Sequence, residues 1–299
     1  MSVLEFKKIE LSDKEQATEL LKQSNFRGCD YTFGNSFVWS SIYNIEHCFA
    51  EGLYFRKTGN GKNIRFIFPA GNGDIRRAVE LMSEYCGELG GIPLRVTANK
   101  QIADKIADMY PEASIKLDRD ICDYIYLAED LEELKGKKYH GKRNHLNRFY
   151  ENNWSFEPLT ADNIKECHAM NEMWRTENVS ECRLTIDDKH KLDELCVAAY
   201  ALKHFDELGY IGGVLRVDGN IQAFTFGEPS SDDCFVVHVE KALRQYQGAY
   251  TAINREFVKS LGHRYKYINR EDDAGSEGLR KAKLSYCPVF MEEKFIITF

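Results

Sequence analysis

Between Ile211 and Gly248 the chain carries three successive strand patterns that stop at a glycine-containing turn, and this run restricts the fold more than any other feature. Ile211 to Val217 and Ile221 to Gly227 are joined by Asp218-Gly219-Asn220, the kind of link a tight hairpin needs because glycine tolerates positive φ. A third strand, Cys234 to Val239, runs into Leu243 to Gly248. An amphipathic helix follows, with Tyr250, Ile253, Phe257, Val258 and Leu261 on one face. Three antiparallel strands feeding a helix predict a mostly antiparallel sheet covered by helices, an α+β arrangement.

The flanking segments extend that plan. Upstream lie a strand at Phe156 to Leu159, a helix capped by Asp162 through Ile164, Cys167, Met170 and Trp174, and a helix over Asp188 to Leu208. Downstream come a strand at Tyr265 to Ile268, a helix over Glu277 to Tyr286 and a closing strand from Val289 to Phe299. The first half follows a looser version of the same order. A strand at Phe6 to Ile9 precedes a helix with a Ser12/Glu15 capping box. Strands at His47 to Ala50, Leu53 to Arg56 and Ile64 to Phe68 come next. Then follow a helix carrying Ile75, Val79, Met82, Tyr85 and Cys86, a strand at Leu94 to Thr97, a helix over Ile102 to Met109 and a strand near Ile121 to Leu127. A length of 299 residues suits two domains, and the repeated opening predicts a duplication, with one domain over 1–130 and a second over 131–299.

Bulk chemistry removes several classes. A net charge of -7 argues against a surface built wholly for nucleic acid, so any polyanion site must be local. The sequence has neither a signal-peptide pattern nor a long apolar run, which predicts a cytoplasmic protein without an integral membrane segment. Nine scattered cysteines read as reduced core residues. Neither His-Glu-x-x-His nor paired Cys-x-x-Cys occurs, so no metal is expected.

Four places could carry chemistry. The turn Gln245-Tyr246-Gln247-Gly248-Ala249, next to Arg244, opens a helix whose free N–H groups and dipole suit a phosphate; a ligand-free turn is the plain alternative. Tyr286 could act as an acid, or be a buried structural tyrosine. Asn269, Arg270 and Glu271 end a strand where side chains are commonly presented to ligands, with Asp273 or Ser276 capping the next helix. Glu228 and Glu240 are further base candidates. Finally, Lys135 to Arg148 carries six Lys or Arg residues, two His and no acid. A helix from Lys138 would put Lys138, Lys142 and His145 on one side, and with His140 and Arg143 these could hold phosphates or remain a solvated face.

The blocks Lys137-Lys-Tyr-His-Gly-Lys-Arg-Asn-His145 and Asn269-Arg-Glu-Asp-Asp-Ala-Gly-Ser-Glu-Gly-Leu-Arg-Lys-Ala-Lys-Leu-Ser-Tyr286 resemble the family related to the phosphatidylglycerol lysyltransferase carboxy-terminal domain. That resemblance implies two GNAT-like (acyl-CoA N-acyltransferase) domains in tandem, each a mixed, mostly antiparallel sheet flanked by helices, as in the Fem-type aminoacyltransferases. GNAT enzymes carry a Q/R-x-x-G-x-G/A loop; Gln245 and Gly248 match it, and Tyr250 stands where a small residue is usual. Their A-x-x-x-Y segment corresponds to Ala282 to Tyr286, with Leu279 in place of its asparagine.

The implied function is acyl transfer from coenzyme A to an amine or hydroxyl acceptor. Arg244, Gln245, Gly248, Ala249, Asn269, Lys138, His140, Lys142 and Arg143 would hold the donor. Backbone N–H groups of the strand near Val239 would polarise the carbonyl, while Tyr286, Glu271 and Arg270 act on the reacting atoms. Transfer from aminoacyl-tRNA is the alternative, and a catalytically silent module that binds an acyl carrier is a third.

Overall fold

The structure is a computed structural model and describes residues 3–179 and 186–299, the side chains of 186–188 aside. Cys182 and the start of the helix expected from Asp188 therefore lie outside the described side chains.

The chain opens with β1 (Lys7–Lys8) and α1 (Lys14–Ser24). The capping box lies two residues earlier than expected, over Glu10 and Asp13 on the 3-10 turn Leu11–Asp13 that leads into α1. Asp13, not Ser12, is its working side chain, because it accepts the Glu10 N–H at 2.8 Å while Lys7 Nζ sits at 2.7 Å and His47 Nε2 at 3.0 Å. Next come α2 (Phe33–Tyr43), unforeseen, and the meander β2 (Glu46–Ala50), β3 (Leu53–Thr58) and β4 (Arg65–Ala70). They lead to α3 (Ile75–Glu88), β5 (Arg95–Asn99), α4 (Lys100–Met109) and a second unforeseen element, β6 (Ser114–Leu117). Asp74 caps α3 and Asn99 caps α4, accepting the N–H of Arg77 and of Ile102. Phe55, Phe66, Leu81, Met82, Val96 and Ile106 form the water-free centre of this part.

The second series begins with β7 (Asp123–Leu127), α5 (Ala128–Glu133), α6 (His140–Tyr150), β8 (Trp154–Pro158) and α7 (Ile164–Asn178). Asn163 rather than Asp162 stands at the cap of α7 and accepts the Thr160 N–H. After α8 (Ile186–Lys203) and α9 (Phe205–Leu208) come β9 (Ile211–Val217), β10 (Asn220–Ser231) and β11 (Cys234–Ala242). Then α10 (Ala249–Ser260), β12 (Tyr267–Asn269), α11 (Glu277–Leu284), β13 (Phe290–Glu292) and β14 (Lys294–Thr298) complete the chain.

Both sheets have seven strands, ordered β1-β2-β3-β4-β5-β14-β6 and β13-β7-β12-β11-β10-β9-β8. β4 with β5 and β11 with β12 run parallel, each at the place where a helix connects consecutive strands. Read from β8, the second order repeats the first position for position. The sixth place in each is filled by a strand from the other half of the sequence, β14 in one sheet and β7 in the other.

The expected closing strand from Val289 to Phe299 is therefore two strands in different sheets. The chain divides into a unit of 1–123, 272–275 and 291–299 and a unit of 124–271 and 276–290. No helix among the described residues is long and apolar enough to cross a membrane.

Candidate functional site

In the second unit, β11 pairs with β12 only over Cys234–Val236, then continues to Ala242 beside β10. Its register with β10 slips by one residue: Phe226 faces Val239 and Gly227 faces Val237, which leaves His238 as the extra residue of a β-bulge. Gly227 makes the bulge possible, since a Cβ there would stand 1.8 Å from the Val236 carbonyl oxygen.

The bulge turns His238 between two carboxylates. Its Nδ1 lies 2.7 Å from Glu271 and its Nε2 3.1 Å from Glu228. Glu271 reaches this position from a left-handed backbone (φ 55°), and its N–H donates to the Asn269 side chain at 2.7 Å. Burial alone would hold His238 neutral; the two carboxylates outweigh it and push the imidazole up to about 9. The group therefore carries one positive and two negative charges at neutral pH. Beside it, the Tyr210 ring is 5.5 Å away, its hydroxyl buried without a hydrogen bond.

A second cluster forms around Tyr286. Arg270 pairs with Glu240 at 2.7 Å, and Asn254 donates to the other Glu240 oxygen at 2.9 Å. The guanidinium lies 4.5 Å from the centre of the Tyr286 ring and keeps one buried nitrogen, Nη1, without a partner. Lys142 Nζ sits 3.4 Å from the same ring, and burial, helped by Arg270, lowers its pKa to about 8. The Tyr286 hydroxyl meets Thr251 at 3.3 Å, and its burial raises the phenol above its ordinary range.

The other predicted residues are placed elsewhere. Gly248 has positive φ, at 94°, and a Cβ there would stand 2.0 Å from the His145 carbonyl oxygen of α6. The glycine seats one helix against another. Ala249 donates its N–H to Tyr246, Gln245 binds Gln222 at 2.7 Å, and Arg244 reaches Glu177 and Asn178.

The Tyr250 hydroxyl accepts from Trp174 at 2.9 Å, so its bulk is used in packing α7. Val239 is buried, and its carbonyl accepts from Thr225.

In the basic segment the expected shared face of Lys138, Lys142 and His145 is not found, because the helix starts at His140. Lys138 pairs with Asp130 at 2.9 Å and Lys135 with Glu133, so acids just upstream balance part of the run. Arg143 binds the carbonyls of Leu134 and Gly136, His140 meets Asn144, and Lys142 alone turns toward Tyr286. Sequence reasoning missed His238, whose only trace is one polar residue in an apolar strand. It also missed Lys241, which is 1% exposed, 3.5 Å from the Trp174 ring and 3.1 Å from Glu194 without hydrogen-bond geometry.

Residues 21–298 match the family described as phosphatidylglycerol lysyltransferase, C-terminal. The chain belongs to this family. A conserved Bacteroides thetaiotaomicron protein of unknown function is 36% identical, with a TM-score of 0.90 over 99% of this chain and 100% of its own. The C-terminal domain of a putative lysylphosphatidylglycerol synthetase from Agrobacterium fabrum is 16% identical, with a TM-score of 0.67 over 96% of this chain and 91% of that one.

L-PGS from Bacillus licheniformis is 14% identical, with a TM-score of 0.64 over 95% and 91%. These likenesses establish the mixed α+β, GNAT-like fold expected from the sequence. A search of curated proteins finds no match.

Proposed function

We propose that the second unit transfers an aminoacyl group, activated as an ester on a tRNA-like carrier, to an amine or hydroxyl acceptor. The observation that carries this reading is the Glu228–His238–Glu271 group, a part-buried site with one negative charge in excess at the point where β11 leaves β12. An ammonium on the acyl group offsets that charge; an acetyl group does not. The family's name, with its lysyl group, and the name of the Agrobacterium fabrum relative agree with a cationic donor.

In this scheme the acceptor attacks the ester carbonyl and the carbon–oxygen bond to the carrier breaks. Glu271, the more exposed of the two carboxylates, takes the acceptor's proton. Tyr286 returns a proton to the leaving oxygen, and the Arg270 guanidinium beside its ring stabilises the charge that develops there. Exposed Lys137 and Arg148 supply local positive potential for carrier phosphates.

Coenzyme A as carrier is the second reading, favoured by Gln245-x-x-Gly248 at the start of α10. Calorimetry with a non-hydrolysable 3′-lysylamido-adenosine and with acetyl-coenzyme A separates the two. The first should bind, and Glu271→Gln should weaken it roughly 10- to 100-fold, the loss of one charge-assisted hydrogen bond. Binding of acetyl-coenzyme A alone would replace the donor. Affinity for neither would remove the transferase reading, and binding of charged tRNA without loss of its acyl group would leave a silent carrier-binding module.

A further inference from the structure

The first unit has a wedge of its own. β4 and β5 run parallel and pair only at Phe66–Val96 and Ile67–Thr97. At that end lies a cavity lined by Thr97, Asn99, Asp30, Glu292 and Lys294. The cavity leaves about 10 Å³, roughly the room of one water-sized group, and opens to solvent.

Three polar groups on this space lack partners within the described structure. Asn99 is 6% exposed, and its oxygen is used by the Ile102 N–H, so its NH₂ has nothing to donate to. Thr97 is 8% exposed, with a hydroxyl that makes no hydrogen bond. The Glu292 carboxyl forms neither a hydrogen bond nor an ion pair.

The neighbouring Lys294 ammonium is already committed: it meets Asp30 and Asp123 at 2.8 Å each and Cys29 Sγ at 3.2 Å. Asp30, Asp123 and Glu292 thus face Lys294, with the Arg27 charge also acting on Glu292. Three polar side chains that face one recess without a protein partner leave it matched to a ligand that supplies both N–H donors and an oxygen.

We propose that this cavity binds a primary ammonium that carries an oxygen on the neighbouring carbon, a 1,2-amino alcohol or an α-amino carbonyl. The ammonium fills the recess and donates to Glu292 and the Thr97 hydroxyl; the oxygen accepts from the Asn99 NH₂. Charge supports the same assignment. Burial and the field of Asp123, reinforced by Glu293, push the Glu292 carboxyl up to about 7 against the opposing pull of Arg27 and Lys294. A cationic ligand therefore competes with a proton for this carboxylate.

Titration of the whole chain with ethanolamine tests the assignment, with ethylammonium and choline as controls. Ethanolamine should bind most tightly, ethylammonium more weakly for want of the oxygen, and choline not measurably, since it has no N–H. Affinity should rise about tenfold from pH 6 to pH 8 as the ligand-free Glu292 loses its proton, with buffer-dependent heats near pH 7 reporting its release.

Glu292→Gln imitates the protonated side chain, so it should fold, lose the pH dependence and bind at least tenfold more weakly. Choline binding as well as ethanolamine, an unchanged affinity in Glu292→Gln, or no heat up to tens of millimolar ethanolamine would overturn the proposal and leave the recess to a water.

Discussion

Removing the proton that His238 holds between Glu228 and Glu271 should loosen the second unit by a measurable amount. The imidazole is raised from 6.5 to about 9, which at about 1.4 kcal/mol per unit corresponds to about 3 kcal/mol at most. The sign follows from the direction. A group whose folded pKa is raised contributes fully below its unfolded value near 6.5, and the contribution disappears as pH climbs through about 9. Loss above that pH leaves two carboxylates bridged by a neutral ring, with the Tyr210 hydroxyl close by and unable to supply charge.

Urea unfolding of a Trp39→Phe protein, followed by the fluorescence of Trp154 and Trp174 in the second unit, should show stability falling between pH 6.5 and pH 9.5. His238→Gln should be less stable than the parent by about 2 to 3 kcal/mol at pH 6.5 and nearly equal to it at pH 10. Histidine NMR gives the direct check. If the His238 ring titrates at or below 6.5, or if the variant and the parent lose stability in parallel, the bridged imidazolium is wrong.

Three further outcomes follow from the same unit. Gly248→Ala places a methyl 2.0 Å from the His145 carbonyl at a φ of 94°, and should cost about 2 to 5 kcal/mol in chemical unfolding even if no phosphate ever binds there. Lys241→Met should be neutral or stabilising by about 1 to 3 kcal/mol at pH 7, because burial already lowers the lysine pKa and its Glu194 partner is 41% exposed. The parent should lose stability as pH falls below 10.5 toward the lowered folded value, and the variant should lack that slope. Tyr286→Phe removes the hydroxyl with its contacts to Thr251 and Arg270, so its stability should fall by about 1 to 2 kcal/mol while aminoacyl transfer slows on the order of 100-fold. An unchanged rate would take Tyr286 out of the chemistry.

Local pattern carried most elements because their causes are local. Asp218-Gly219-Asn220 needs only its own backbone preferences to turn, and the ends expected for β9 are the ends observed. The exchange of β7 and β14 could not be read in the same way, since a strand's period says which face is buried and not which sheet receives it. Gly248 shows the same limit at a single residue. Its place in a strand-to-helix turn was legible, whereas the reason no side chain fits is a carbonyl on α6, more than a hundred residues earlier in the chain.

The candidate site divides along that line. Tyr286, Arg270 and Glu271 belong to one contiguous block and were found together. His238 was not, because its charge depends on a one-residue slip between β10 and β11 that lets an apolar strand hold a polar ring between Glu228 and Glu271. In a sheet protein such a slip is the economical way to aim one side chain without altering the alternation on either side. The bulge, more than the glycine turn after it, is therefore where substrate selectivity should change when residues are exchanged.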